Sequence, residues 1–223
     1  MEVQLTRGIS ASVWKISKVC CLAAEPLIGG CCLELILASA SPRRQELLRQ
    51  IGLSFTVIPS RLAENTAECN PMKKVKALAL AKATEVAERT GRGLVLGADT
   101  MVVIGDKILG KPSSSDEAAA MLRTLSGRVH RVCTGIALVD AATGRSRAAT
   151  ECTLVKFRSL SEREIEAYVA SGEPLDKAGA YGIQGHAAVF VSGIKGCYSN
   201  VVGLPLSRLW QMLQDFSETG LPS

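Results

Sequence analysis

Three short stretches of this chain bring together side chains able to do chemistry. The first is Ser39-Ala40-Ser41-Pro42-Arg43-Arg44. Its hydroxyls, the amides of a helix start and two guanidiniums converge on one small volume. Helix amides and the helix dipole favour negative charge, and arginine offers forked donors to phosphate oxygens, so the segment reads as an anion site. The same residues also suit a well-capped helix with solvated arginines, and the motif alone does not choose. The second is Gly97-Ala98-Asp99-Thr100, read as an acidic residue at the end of an apolar strand, where α/β sheets commonly hold ligands. A carboxylate there can ligate Mg²⁺ or Mn²⁺ and orient or deprotonate water, although a turn aspartate is an equal reading. Lys111-Pro112 follows a hairpin and can return Lys111 to the same end of the sheet. The third is the run Asp176-Lys177-Ala178-Gly179-Ala180-Tyr181-Gly182-Ile183-Gln184-Gly185. Glycines permit close backbone approach, and the Gln184 amide can read a base edge with both donor and acceptor. A purely structural tight-turn loop is the competing reading.

These stretches need elements to place them. Leu33 to Ala38 is a short apolar run typical of a buried strand, followed by a turn and a helix to Ile51 with Ser41 at the N-cap and Pro42 at the first helical position. Phe55 to Pro59 alternates as a second strand, and residues 71 to 90 form a long helix with Ala77, Leu80, Ala81, Thr84 and Ala87 on one face. Leu94 to Ala98 reads as a third strand. Met101 to Ile104 and Ile108 to Leu109 flank Gly105-Asp106-Lys107 as a hairpin. A helix over 116 to 125 precedes Val129 to Asp140, which pairs with Ser146 to Phe157. Ser161 and Glu164 have the capping-box spacing and open a helix to Ser171. A loop-rich stretch from Gly172 to Gly185, a strand over 188 to 194 and a last helix over 205 to 215 complete the chain. The expected fold is α/β, a mixed twisted sheet with flanking helices.

The bulk numbers agree with a folded enzyme or binding domain. The 223 residues suit one large domain or two joined lobes, with 47% apolar and 21% charged residues. The net charge of +5 suits an anionic ligand or ordinary solubility, but no run of five or more basic residues argues for a nucleic-acid arm. Aromatic residues are only 4% and do not interleave with basic ones as stacking platforms do, so no nucleic-acid partner is expected. The eight cysteines form no C-x-x-C pair or Cys/His cluster, which points to reduced thiols in a cytoplasmic protein rather than a zinc site. In residues 1–32, Arg7, Lys15 and Lys18 precede an apolar stretch from Val19 to Cys32 that faintly resembles a signal peptide. Glu25 and Pro26 interrupt that stretch, and it is too short to span a bilayer. It is read as a loosely ordered N-terminal extension, with no membrane partner, before a domain over 33–219.

Taken together and in order, Ser39 to Arg44, Ala98-Asp99-Thr100, Lys111-Pro112 and Asp176 to Gly185 resemble the Maf family of nucleotide pyrophosphatases over about Leu33 to Phe216. The resemblance implies a fold similar to inosine-triphosphate pyrophosphatase, with two lobes around a cleft, and a homodimer. It makes Asp99 the general base, Ser39 and Arg44 triphosphate contacts, and Lys82 and Lys111 phosphate-facing lysines. Glu64 matches the family's acidic position after its second strand and would share a divalent metal, Mg²⁺ or Mn²⁺, with Asp99. Arg43, Thr100 and Gln184 occupy the positions that resemble the family's base-selectivity set. In the branch acting on 7-methyl-GTP these look like Trp, Gln and Glu, a set suited to a cationic purine. This chain resembles the dTTP/UTP branch instead.

The resulting expectation is hydrolysis of dTTP and UTP to the monophosphate and pyrophosphate. Two rivals stand beside it. One is a non-enzymatic nucleotide-binding regulator of septum formation, against which Asp99 and Glu64 together argue, because binding alone needs no water-activating carboxylate. The other is a different phosphohydrolase, told apart by release of orthophosphate rather than pyrophosphate.

Overall fold

The computed structural model describes residues 34–62 and 68–218. The expected N-terminal extension, 1–32, and Glu64 lie outside the described residues. The elements in order are β1 (Leu35–Leu37), α1 (Pro42–Gln50), β2 (Thr56–Val57), α2 (Pro71–Thr90), β3 (Leu94–Ile104), β4 (Lys107–Leu109) and α3 (Ser115–Leu125). They continue with β5 (Val129–Asp140), β6 (Ser146–Phe157), α4 (Glu162–Ala170), β7 (Val191–Lys195), α5 (Tyr198–Val202) and α6 (Leu206–Glu218). Three short 3₁₀ turns over 173–190 lie between α4 and β7.

The seven strands make one mixed sheet in the order β2-β1-β3-β5-β6-β7, with β4 paired to β3 off that path. The β1 pairings with β2 and β3 are parallel, and the remainder are antiparallel. On the far side, β5 pairs with β3 from Leu94 to Val103. On the near side β1 covers only Leu94 to Leu96 and β4 only Val102 to Ile104, so β3 has an open edge from Gly97 to Met101. Leu94 donates to Glu34 O and Ala38 to Leu96 O across that edge. By the two-residue alternation of a strand, the backbone groups of Ala98 and Thr100 face the same way, into the gap. A cleft opens there, with β1 and α1 on one wall and β4 and the 172–185 segment on the other. The expected pair of lobes takes the form of two walls on one sheet.

Two elements, β3 and α2, correct the sequence reading. The segments expected as separate strands, 94–98 and 101–104, are one strand of 11 residues. Asp99 therefore lies mid-strand rather than at a strand end. In α2 the periodicity holds but its phase does not: the buried residues are Val75, Leu78, Ala79, Ala83, Val86 and Ala87, while Ala77 and Ala81 are exposed. The reason is the sheet beneath. A Cβ at Gly97 would run into Ala79 O, and one at Gly135 into Val75 O, so these two glycines let the helix backbone settle directly onto β3 and β5. Asn70 caps α2, accepting from the amides of Met72 and Lys73. The opposite face of the sheet packs against α1, α3, α4 and α6 around Leu48, Leu96, Leu122, Ile136, Phe157 and Leu209. Among the described residues, no helix is long and apolar enough to cross a membrane.

Candidate active site

The cleft has a volume of about 620 Å³, a size that accepts a nucleotide. Its lining includes eight of the nine site residues expected from the sequence: Ser39, Arg43, Arg44, Lys82, Asp99, Thr100, Lys111 and Gln184. The ninth, Glu64, lies outside the described residues. Residues distant in the chain meet here because β1 stops short and leaves the β3 edge uncovered.

At the β1–α1 turn, Ser39 Oγ accepts from Arg44 Nη1 at 3.0 Å and from the Ser41 amide at 3.3 Å. Ser41 stands at the N-cap position, but its side chain makes no capping bond. Its backbone, with φ of −58° and ψ of 118°, turns towards Ser39 instead. Arg44 also donates from Nε to Gly203 O at 2.9 Å and from Nη2 to Thr100 Oγ1 at 3.1 Å. Thr100 and Thr134 hydroxyls lie 3.0 Å apart, and Thr134 donates to Asn200 O. With that proton committed, Thr100 donates to Thr134, and the polarity runs from Arg44 through both threonines to the α5 backbone. The guanidinium is thus fixed in orientation by its own turn, by β3 and by the residue after α5. Nothing in the local sequence marks Gly203 as its partner or Thr134 as the partner of Thr100.

Asp99 and Lys82 form the floor. Lys82 Nζ lies 2.6 Å from Asp99 Oδ1, with side chains 12% and 7% exposed. Lys82 directly precedes the buried Ala83, at the edge of the face that α2 lays over Gly97, which is how it reaches a carboxylate two residues further along β3. An ammonium in hydrogen-bond contact offsets much of the desolvation that a carboxylate suffers at such burial.

The opposite wall carries Lys111 and Gln184, both exposed to the cleft. Among the described residues the Gln184 side chain makes no hydrogen bond. Gly179 donates to Gly110 O at 2.9 Å, tying the glycine-rich segment to the turn before Lys111. Gly179 and Ala180 are both left-handed, with φ of 69° and 60°, a conformation an alanine adopts only under constraint. Arg43 Nη1 and Asp176 Oδ2 approach to 4.0 Å across the cleft mouth. Lys177, which sequence reasoning did not single out, also lines the cleft, with Nζ donating to Asp176 Oδ1 and to Glu173 O. Partial burial raises the Asp176 carboxyl, but the neighbouring Lys177 and Arg43 cations outweigh it and hold the group below the usual carboxylate range. Tyr181 is anchored beneath the loop by a 2.7 Å bond to His130 Nε2.

Among the described residues no three His, Cys, Asp or Glu side chains gather into a metal cage. A hard cation such as Mg²⁺ commonly takes one or two carboxylates and completes its shell with water and substrate phosphates. The Asp99 carboxylate on the cleft floor fits a metal shared with a polyphosphate, and no preformed cage is present among these residues.

The model of the family described as "Maf-like protein" matches residues 34–216. The chain is 52% identical over 186 residues to a "dTTP/UTP pyrophosphatase" of Ruminiclostridium cellulolyticum, covering 82% of this chain and 96% of that protein. It is 55% identical over 184 residues to one of Moorella thermoacetica, covering 82% and 95%. A protein of Thermococcus kodakarensis with the same name is 49% identical over 179 residues, covering 80% and 94%. The cleft residues, the mixed sheet that exposes them and these similarities converge, and the chain belongs to the Maf family.

Proposed function

We propose that this protein is a nucleoside triphosphate pyrophosphatase acting on dTTP and UTP and releasing the monophosphate and pyrophosphate. The observation that carries the reading is the buried Lys82–Asp99 pair on the floor of a cleft whose wall holds the Ser39–Arg44 anion site. The relatives named above support the substrate class.

In this reading Asp99 takes a proton from water, whose oxygen attacks the α-phosphorus, and the bond from that phosphorus to the αβ-bridging oxygen breaks. Ser39, Arg44, Lys82 and Lys111 bind the polyphosphate and spread the charge that grows on the leaving group. Because Arg44 is already oriented, little rearrangement is needed when phosphate arrives. Asp99 and, by the family resemblance, Glu64 would hold Mg²⁺ or Mn²⁺ together with the phosphates, and that ion would neutralise the triphosphate and favour departure of pyrophosphate. Arg43, Thr100 and Gln184 belong to base selection. Gln184 presents an amide able to pair with the imide edge shared by thymine and uracil. A homodimer goes with the proposal and is tested by mass measurement in solution.

The test is incubation of purified protein and Mg²⁺ or Mn²⁺ with dTTP, UTP, CTP, GTP and 7-methyl-GTP, resolving monophosphate and pyrophosphate by chromatography. Selective conversion of dTTP and UTP is expected. Tight binding without turnover would favour the regulator, and release of orthophosphate a different phosphohydrolase. Asp99→Asn is expected to lower kcat by about 10²–10⁴ and, because it removes the carboxylate charge that Lys82 meets at 2.6 Å, to lower the melting temperature while the fold is kept; full activity in that variant overturns the role given to Asp99.

A further inference from the structure

Glu173 does not line the cleft, yet its carboxylate, 17% exposed, ties down the segment that does. Its Oε1 accepts from Tyr168 OH at 3.0 Å, and the same hydroxyl accepts from the Gly182 amide at 3.2 Å. Its Oε2 accepts from the His186 amide at 3.1 Å and lies 2.8 Å from His186 Nδ1. Between those two anchored amides, Gly185 donates to Gly182 O at 3.1 Å, closing a β-turn whose central residues are Ile183 and Gln184. The carboxylate is packed so closely beneath this turn that a Cβ at Gly185 would run into it. Burial raises the Glu173 carboxyl, but its hydrogen bonds to His186 and Tyr168 outweigh that and hold it below the usual range, as befits an anion used as a fixed acceptor.

The Gln184 side chain has no hydrogen-bond partner among the described residues, so its amide is aimed only by the backbone that carries it. We infer that Glu173 is a positioning residue for base discrimination: by holding the amides on both sides of the Gly182–Gly185 turn, directly at His186 and through Tyr168 at Gly182, it fixes where Gln184 and the turn's peptide groups meet the base. This rests on the function proposed above, which puts the base against this wall of the cleft. Of the phosphate contacts, Ser39 and Arg44 lie on the opposite wall and Lys82 on the floor, while Lys111 shares this wall but stands on the turn after β4, outside the Gly182–Gly185 turn. Loss of Glu173 therefore acts on selection and KM more than on kcat.

The experiment compares wild type, Glu173→Ala, Glu173→Gln and Tyr168→Phe, measuring kcat and KM for dTTP, UTP and CTP. It also follows amide exchange at Gly182, Gly185 and His186 in the nucleotide-free protein. Glu173→Ala is expected to speed exchange at Gly182 and His186 and to lower the dTTP-over-CTP ratio of kcat/KM by roughly tenfold, mostly through KM. Glu173→Gln, which keeps the shape and one carbonyl acceptor, recovers most of the ratio. Tyr168→Phe breaks the Gly182 tie alone and moves the ratio the same way by less, and it carries the test if Glu173→Ala does not fold. Unchanged base ratios in a folded Glu173→Ala or Tyr168→Phe overturn the inference, as does unchanged amide exchange. Failure of the wild type to cleave any nucleoside triphosphate refutes the function itself, while the exchange measurement still decides whether Glu173 holds the turn.

Discussion

Arg44 shows how much of the site depends on one side chain's geometry. Its Nε, Nη1 and Nη2 donate to Gly203 O, Ser39 Oγ and Thr100 Oγ1, three acceptors on three different segments. Only a planar fork reaches all of them at once, and a lysine ammonium on a flexible stem cannot. Arg44→Lys is therefore expected to keep the charge and lose the orientation. It should lower kcat/KM for dTTP by about tenfold to a hundredfold and stability by about 1–3 kcal/mol. Steady-state kinetics and urea denaturation check both, and a lysine variant with native kinetics would show that charge alone matters. The Lys82–Asp99 pair is a different case. Its members come from a helix and a strand, and each removes much of the penalty for burying the other.

At the scale of elements, the decisive contact is α2 against β3 and β5. Gly97 and Gly135 are glycines because Ala79 O and Val75 O occupy the space a Cβ would take. Gly97→Ala is expected to push α2 off the sheet and destabilise the fold by about 2–4 kcal/mol, read as a lower melting temperature. It should also cut activity beyond the stability loss, because Lys82 then no longer reaches Asp99. A variant with unchanged melting temperature would contradict so close an approach. The segment after α4 is held by the core packing of Ala180, Tyr181, Ile183, Ala187 and Phe190 and, in addition, by hydrogen bonds that involve Glu173, Tyr168 and Gly110. It forms 3₁₀ turns because its glycines and Pro174 suit tight turns better than a helix or strand.

For the whole molecule, one pH signal between neutral and mildly acid conditions comes from the buried His130. It is 1% exposed, and burial among Phe157 and Tyr181 pushes its pKa down to about 4, from an ordinary 6.5. The unfolded chain therefore binds a proton between those values that the folded chain refuses. Stability from this residue is fully present above about pH 6.5 and is lost as pH falls towards 4, by up to about 3 kcal/mol. Urea unfolding at pH 7 and pH 4.5 reads the loss, and His130→Phe should flatten it. An equal acid loss in the variant would move the effect to the carboxylates. Since His130 holds Tyr181, acid should loosen the cleft wall before the sheet.

Much of this protein follows from local sequence alone. The ranges of α2, β5 and β6 were legible in full, as was the Ser161–Glu164 capping box, because helix and strand periods and cap chemistry act between near neighbours. Eight of the nine expected site residues line one cleft: most had types that already suited an anion or a proton acceptor, and Lys82 came from the family resemblance. The three-dimensional fold decided the rest. Asp99 and Thr100 looked like a strand's end because polar residues interrupt an apolar run. They continue β3 because Lys82 partners one and Arg44 and Thr134 partner the other. The buried face of α2 was likewise set by glycines on strands it does not adjoin in sequence. The role of Glu173 appears only once Gly182 and His186 are brought beside it. Periodicity records which residues avoid water, but which polar groups satisfy one another across the sheet is fixed only when the distant elements meet.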